Sequence, residues 1–541
     1  SRLARRHRPG CTWTTTAAER CGCGQGSDEM TMTTTPRANV DDPTESGKIL
    51  PDDPRYRAVV DKRFNKRYSA APDYVRLVSS TEQVVSAVQE AVDEGLRVVA
   101  TSGGHCLEGF VCDRDVRVIV DVSPMKLVYF DAERRAIAIE AGATVGEAFR
   151  ALFEKWGVVV PFGEYPGVGI GGHVPGGAFG FLCRELGLTV DYLYGVEVVT
   201  VDGAGRARVV VATREAGDPN RELWWAHTGG GAGNFGIVTR YWFRSIDATG
   251  DDPTTILPKP PASITTFKVE WNWSDFDESS FLRLMQNHGQ WCEANSAPNS
   301  PSLTLWTLFQ VHRKSFGKMF ARGLCTNGEA AERQIRDHLT ALGAGVPPSS
   351  PAEIATMSWL DFALNPFPDL FGMPPGGVSV KVKDAVVKKR FTDAQIGVVH
   401  KYMASDAFNV MGGGFGLATY GGRINTVASD ATAAPQRNGI LDTACNTGWI
   451  DAGDAAENMK WVREFYRELF AETGGVPTPN AQYDGALINH PDVDLKDLAW
   501  NTSGVAASGL YYQDNYPRLQ RSKATWDPRN VFRHALSIEL P

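Results

Sequence analysis

The chain is poor in the features that would assign it most simply. No apolar run approaches the roughly 18 residues that a membrane-spanning helix needs, so no membrane partner is expected. Cysteine is sparse, with nine in 541 residues, at positions 11, 21, 23, 106, 112, 183, 292, 325 and 445. An odd number at that density excludes a disulfide framework. Cys21 and Cys23 have no second cluster to complete a zinc site, so no metal centre is expected, and free thiols fit a cytoplasmic protein. Excess positive charge is missing too. The formal net charge of -8 repels polyanions and argues against nucleic acid as a partner. Residues 1–40 have no apolar centre of about 7–15 residues, so no secretory signal is expected there. Residues 1–46 are expected to form a disordered tail.

What the chain does have is glycine, 55 residues of it, concentrated in loops. Val98-Val99-Ala100 reads as a short buried strand that stops at Thr101-Ser102-Gly103-Gly104-His105. A second loop runs from Gly163 through Tyr165, Gly167-Val168-Gly169 and Gly171-Gly172-His173 to Ala178. Glycine lets backbone N–H groups approach a phosphorylated ligand that side chains would hold off. Together the two loops suit one large nucleotide cofactor with His105 as its anchor, although a glycine loop can equally be only a turn.

Around these loops the pattern is strand–turn–helix. Thr81 to Ala91 has helical spacing with Thr81 as N-cap and Gly95 as its end. Val116–Val122 and Ala136–Ala141 read as strands, and Thr144 with Glu147 makes a capping box for a helix to Trp156. Tyr194–Val201 and Ala207–Ala212 should form a hairpin about Asp202-Gly203 and Gly205. A strand is expected at Ile237–Phe243, and a boundary in the Pro/Asp-rich connector 251–261. Residues 262–480 mix strands (265–271, 303–309) with helices (329–342, 458–473), which suggests an antiparallel sheet backed by helices. A single helix is expected from Tyr511 to Lys523. The fold class is α+β.

Five stretches in order carry a family resemblance: Ser102–His105, Gly163–Phe181, Gly229–Thr239, Pro491–Leu495, and Asn515–Leu519 with Asp527–Phe532. Over roughly residues 56–541 the chain resembles the berberine-bridge-enzyme-like flavin oxidases of the vanillyl-alcohol-oxidase fold. Within that group it looks most like actinomycete oxidases acting on hexoses of glycopeptide antibiotics. The resemblance implies a two-lobed FAD-binding domain over 47–250, closed by 485–541, and a substrate domain over 251–484. It implies FAD joined covalently to His105, with Thr101, Ser102, Gly103 and Gly104 on the pyrophosphate. Gly142 and the stretch Gly167, Val168, Gly169, Gly171 and Gly172 would lie along the cofactor. Gly236 and Val238 would stand near the adenine half and Asn515 near the flavin ring. Tyr420 matches a motif on the substrate face.

Two departures from the family pattern affect the chemistry. Many members have a cysteine, forming a second covalent link, where this chain has Tyr165, so a single link is expected. A pattern Tyr-x-Asn-Tyr is replaced by Leu487-Ile488-Asn489-His490, which leaves the base open. Phenol, with a reference pKa of about 10, needs its pKa lowered to act as a base, whereas imidazole at about 6.5 does not. His490 is therefore the easier base on chemical grounds, with Tyr165 and Tyr420 as the family-style alternatives. Tyr165 and Tyr420 can also be packing residues. The expected activity is oxidation of a sugar alcohol on a glycosylated natural product, by a monomer or dimer, with O2 giving H2O2. The competing readings are oxidative cyclisation or dehydrogenation of an alkaloid or polyketide, and a flavin-binding protein with impaired turnover.

Overall fold

The computed structural model describes residues 47–371, 377–410 and 412–541; the expected tail over 1–46 lies outside them. Among the described residues the strands form three sheets. The first contains β1 (Lys48–Ile49), β2 (Tyr74–Leu77), β3 (Val98–Thr101) and β4 (Val118–Asp121), in the order β1-β2-β4-β3. Its β2, β4 and β3 are parallel, so they need covering on both faces. The helix Thr81–Asp93 packs against it.

The second sheet is antiparallel and contains β5 (Val128–Asp131), β6 (Ala136–Glu140), β7 (Leu193–Val201), β8 (Ala207–Thr213) and β9 (Ile237–Phe243), ordered β5-β6-β9-β7-β8. β7 and β8 form the expected hairpin.

The third sheet draws all its strands from the middle of the chain: β10 (Ile264–Asn272), β11 (Leu305–His312), β12 (Lys318–Cys325), β13 (Glu353–Met357), β14 (Ser379–Val387), β15 (Gly414–Thr419) and β16 (Leu441–Trp449). It is antiparallel throughout, in the order β13-β10-β12-β11-β15-β16-β14. Helices Glu278–Asn295, Ala331–Leu342, Asp393–Ala404 and Ala455–Leu469 pack on one another and on this sheet.

Two local expectations are corrected. The helix after β2 is capped by Ser80, whose hydroxyl accepts from the Gln83 N–H. Thr81 already has helical geometry, and its hydroxyl donates to Glu197 instead, at 2.8 Å. The single helix expected over Tyr511–Lys523 is two, Ala507–Tyr512 and Tyr516–Trp526. Gln513 breaks it at φ +48°, and Pro517, which can only start a helix, opens the second.

The capping box forms as expected: Thr144 N–H donates to Glu147 at 2.9 Å, and Glu147 N–H donates to Thr144 Oγ1. It also bears on the site. The first-turn N–H groups of Val145 and Gly146 donate to Val168 and Pro166 carbonyls at 2.9 Å, so this helix start holds the second glycine loop. Thr144→Ala is expected to cost about 1 kcal/mol in a denaturant melt.

Candidate functional site

Between the glycine loops and the third sheet lies a cavity of about 600 Å³. Thr101 to His105 line one side, directly after β3. Val168, Gly169, Gly171 and Gly172 line another, and Gly231, Gly233, Gly236 and Val238 a third. The two glycine loops touch backbone to backbone: a Cβ on Gly103 would run into Gly169, and one on Gly169 into Gly103 and the Ser102 hydroxyl. Only glycine permits this crossing. The Ser102 hydroxyl donates to the Ala141 carbonyl at 2.7 Å, and Arg63 donates to Thr101 Oγ1 at 2.8 Å.

This cradle fits a phosphate-bearing ligand. Among the described residues the N–H groups of Ser102, Gly103 and Gly104 donate to no backbone carbonyl, so they remain available to phosphate oxygens. Beside Gly172 there is open space where a side chain would otherwise stand.

His105 sits where loop and cavity meet. Its ring stacks on Phe64 at 4.9 Å between centroids and lies 5.1 Å from the ring of Tyr165. Burial lowers its pKa to about 4, so the imidazole is neutral near pH 7 and keeps a nitrogen lone pair for bonding to carbon. Tyr165 therefore lies beside His105. Cys183, by contrast, is fully buried against the Pro161 and Ala178 carbonyls and lies off the cavity.

The opposite wall is one face of the third sheet. Strand register places Leu308, Ala418 and Asp442 in one row, Gln310, Gly416, Ala444 and Asp384 in the next, and His312, Gly414 and Asn446 in a third. Neighbouring strands are about 4.8 Å apart. The glycines and alanines make a low floor, and polar side chains stand at its margins. Gln310 Oε1 and Asp442 Oδ1 are buried acceptors with no donor.

His490 opens on the same cavity, its Nδ1 3.4 Å from Asp384 Oδ2. Asp384 is 2% exposed and also accepts from the Leu487 N–H. Asp384, Asp442 and His490 each place a polar atom within 4.8 Å of the others. Burial opposes charge on His490. The hydrogen bond and charge of Asp384, helped by Asp442 and Glu164, outweigh it and raise the ring to about 9. Burial raises Asp384 itself, so the two groups share a proton as a coupled pair. Burial, reinforced by Asp384, raises Asp442 to about 7, and burial raises Glu164 to about 8.

Four residues named from sequence lie off the cavity. Gly142 fits beneath the Val122 and Met125 carbonyls, where a Cβ would collide. Gly167 gives room to the Tyr165 ring and to His105 Nε2. Tyr420 is fully buried, and its hydroxyl donates to the Gln436 carbonyl at 2.9 Å. Asn515 donates to the Ser429 and Thr432 carbonyls. Asp384, Asp442, Gln310 and Glu164 were not identified from sequence. Only Glu164, inside the second glycine loop, carried a sequence signal.

The model of the FAD binding domain matches residues 72–206, and that of berberine and berberine-like proteins matches 486–539. The chain is 46% identical to the aclacinomycin-N/aclacinomycin-A oxidase of Streptomyces galilaeus, over 90% of this chain and 89% of that protein. It is 30% identical to the hexose oxidase of Chondrus crispus, over 88% of this chain and 92% of that protein. A solved glycopeptide hexose oxidase complexed with teicoplanin superposes with a TM-score of 0.85 and 44% identity, covering 91% of this chain and 98% of that one. Fold and cavity together define a flavoprotein oxidoreductase of the vanillyl-alcohol-oxidase type, with FAD as its cofactor. The chain belongs to the berberine-bridge-enzyme-like FAD-linked oxidases, enzymes acting on CH–OH groups with oxygen as acceptor. No helix among the described residues is long and apolar enough to cross a membrane.

Proposed function

We propose that this enzyme oxidises an alcohol of a sugar carried on a glycosylated natural product, taking a primary alcohol to the aldehyde or carboxylic acid and reducing O2 to H2O2. The observation that carries this is the polar margin of Gln310, Asp442, Asn446 and His490 around a cavity floor of glycine and alanine. A ring bearing hydroxyl groups finds hydrogen-bonding partners at that margin and lies against the low floor; an apolar polycycle would use the floor alone. The likeness to oxidases named for a hexose and for a glycosylated antibiotic points the same way.

FAD, when bound, supplies the hydride acceptor and passes the electrons to O2. The chain's own residues do the rest. Ser102, Gly103 and Gly104 offer N–H groups to the phosphates, and neutral His105 provides the nitrogen for one covalent link. The polar margin of the sheet orients the alcohol. Residues 47–250 with 485–541 as the cofactor part, and 251–484 as the substrate part, belong to the same proposal.

Peroxide release under O2, measured on free hexoses, glycosylated natural products, and alkaloid or polyketide aglycones, tests the reading. Peroxide from the first two classes is the expected result. Turnover of aglycones alone would replace it with oxidative cyclisation or dehydrogenation of the polycycle.

A further inference from the structure

We infer that Phe316, with His312 and Phe320 beside it, is a stacking platform for an aromatic aglycone joined directly to the reacting sugar. The inference rests on the sugar-oxidising reading above and narrows its substrate class to aryl glycosides.

The platform continues the cavity floor. His312 ends β11, two residues beyond Gln310 and so about 6.8 Å further along the same sheet face. It lines the cavity, and its Nδ1 stands over Gly414, 3.6 Å from where a Cβ of that glycine would be. Phe316, in the turn between β11 and β12, sets its ring 4.7 Å from that of His312. Phe320, opposite Gln310 on β12, meets His312 edge-on at 5.7 Å and Phe316 at 6.1 Å. Burial lowers His312 to about 4, with Arg322 adding to the effect, so it joins the group as a neutral ring.

The exposure of Phe316 sets it apart. Among the described residues it is the only aromatic side chain more than half exposed, at 53%. A single exposed apolar residue carries no message. This one is contiguous with two other rings and with the cavity, and its turn is held firmly. Arg313, 2% exposed, donates to the Tyr402, Ser405 and Phe408 carbonyls. The Trp273 indole donates to the His312 carbonyl at 3.0 Å, and the Trp273 backbone N–H to the Gly317 carbonyl at 3.0 Å. Gly317, at φ +88°, closes the turn. A ring held in place before its ligand arrives loses little freedom on stacking.

The chemistry of the patch selects its occupant. The bordering charges are matched: Lys318 pairs with Glu270 at 2.6 Å, and Lys268 and Arg322 share Asp369 at 2.8 and 2.7 Å. An ion therefore gains little there. Phe316 and Phe320 offer no hydrogen bonds, so a second sugar would gain no polar contact from them. A flat apolar ring stacks on such a surface in the offset or edge-on geometry that aromatic pairs prefer. The position agrees. With the reacting sugar over the rows of Asp442 and Gln310, the group on its glycosidic bond reaches the row of His312.

The test compares phenyl and methyl glycosides of the same hexoses on flavin-loaded protein, by KM in peroxide release and by calorimetric Kd under nitrogen. The wild type should bind the phenyl glycoside about 10-fold more tightly than the methyl glycoside. Phe316→Ala should remove most of that preference, raising KM for the phenyl glycoside with kcat within about 2-fold. Phe316→Trp should keep the preference and Phe316→Leu should lose it, which separates stacking from a role in folding the turn. Leu498→Ala, at a site 83% exposed and off the cavity, should leave the preference as in the wild type. Equal affinity for the two glycosides, or a preference that survives Phe316→Ala, overturns the platform. So does tighter binding of a disaccharide or an octyl glycoside than of the phenyl glycoside, or sedimentation showing a dimer that Phe316→Ala dissociates. Absence of peroxide from every glycoside overturns the functional reading instead, while the Kd values still decide whether the platform binds aryl groups.

Discussion

Acid precipitation of the His105→Ala variant is expected to leave all the yellow colour in the supernatant, whereas the wild-type pellet stays yellow. The imidazole is neutral because burial lowers its pKa to about 4. Its ring is set between Phe64 and Tyr165, and its loop is pinned by the Phe64 N–H on the Gly104 carbonyl at 3.0 Å. Cys106 also lines the cavity, but burial pushes it up to about 11 and keeps it a thiol, a poor partner for carbon–sulfur bond formation near pH 7. Peptide mass analysis of the wild type should therefore find flavin on the peptide holding His105 and none on the one holding Tyr165. With the ring no longer fixed in position, turnover of the variant should fall about 10²-fold even when free FAD is supplied. Colourless wild-type pellets would refute the link, and flavin on both peptides would refute its being single.

Lys381→Met should destabilise the protein by about 3–5 kcal/mol, the usual cost of removing one member of a buried ion pair. Lys381 is 1% exposed on β14 and binds Glu108, Asp492 at 2.6 Å and Asp494 at 3.6 Å. Lys383 binds Asp492 and Asp494, and Arg463 binds Asp494 at 2.7 Å. Glu108 lies three residues after His105, and Asp492 two after His490. The network therefore fixes the loop of His105 to the segment of His490, through the edge of the third sheet. Asn65 reinforces the tie, donating to the Leu107 and Val380 carbonyls.

The pH dependence of this network has a definite sign. Burial disfavours the Lys381 charge, but Asp492 and Glu108 outweigh it and raise its pKa above the usual 10.5. That contribution is complete below the ordinary value and is lost as the pH rises through the higher folded value. Burial would raise Asp494, but Arg463 and the two lysines hold it well below the usual 3.8. Its contribution is complete above 3.8 and is lost as the pH falls through the lower folded value. The variant should flatten both limbs of the stability curve, read from urea midpoints across pH. Adding Glu108→Gln should recover part of the loss by removing one uncompensated charge. A loss under about 1 kcal/mol would mean that water screens the cluster as it does a surface pair.

The glycine loops could be read from sequence because their chemistry is local. Gly103 and Gly169 mark backbone that must pass close to other backbone, and His105 follows directly. Capping at Thr144 and Glu147 and the β7–β8 turn are local as well. Asp442 and Asp384 stand alone in strands with no surrounding motif, and Gln310 reads as one polar residue in an apolar run. They share one face only because β11, β15, β16 and β14 pair in a particular register. Lys381 and Lys383 alternate as a solvent-facing row would, yet both are buried because Glu108, Asp492 and Asp494 close over them from distant parts of the chain.

The sequence by itself determined the two glycine loops, the histidine that follows the first of them and the absence of a thiol at position 165, since each depends on residues adjacent in the chain. Tertiary structure alone decided which polar side chains from distant strands meet at the cavity. Burial and neighbouring charge set the protonation of His490 and Asp442, and those neighbours come from separate strands and loops that only the fold brings together.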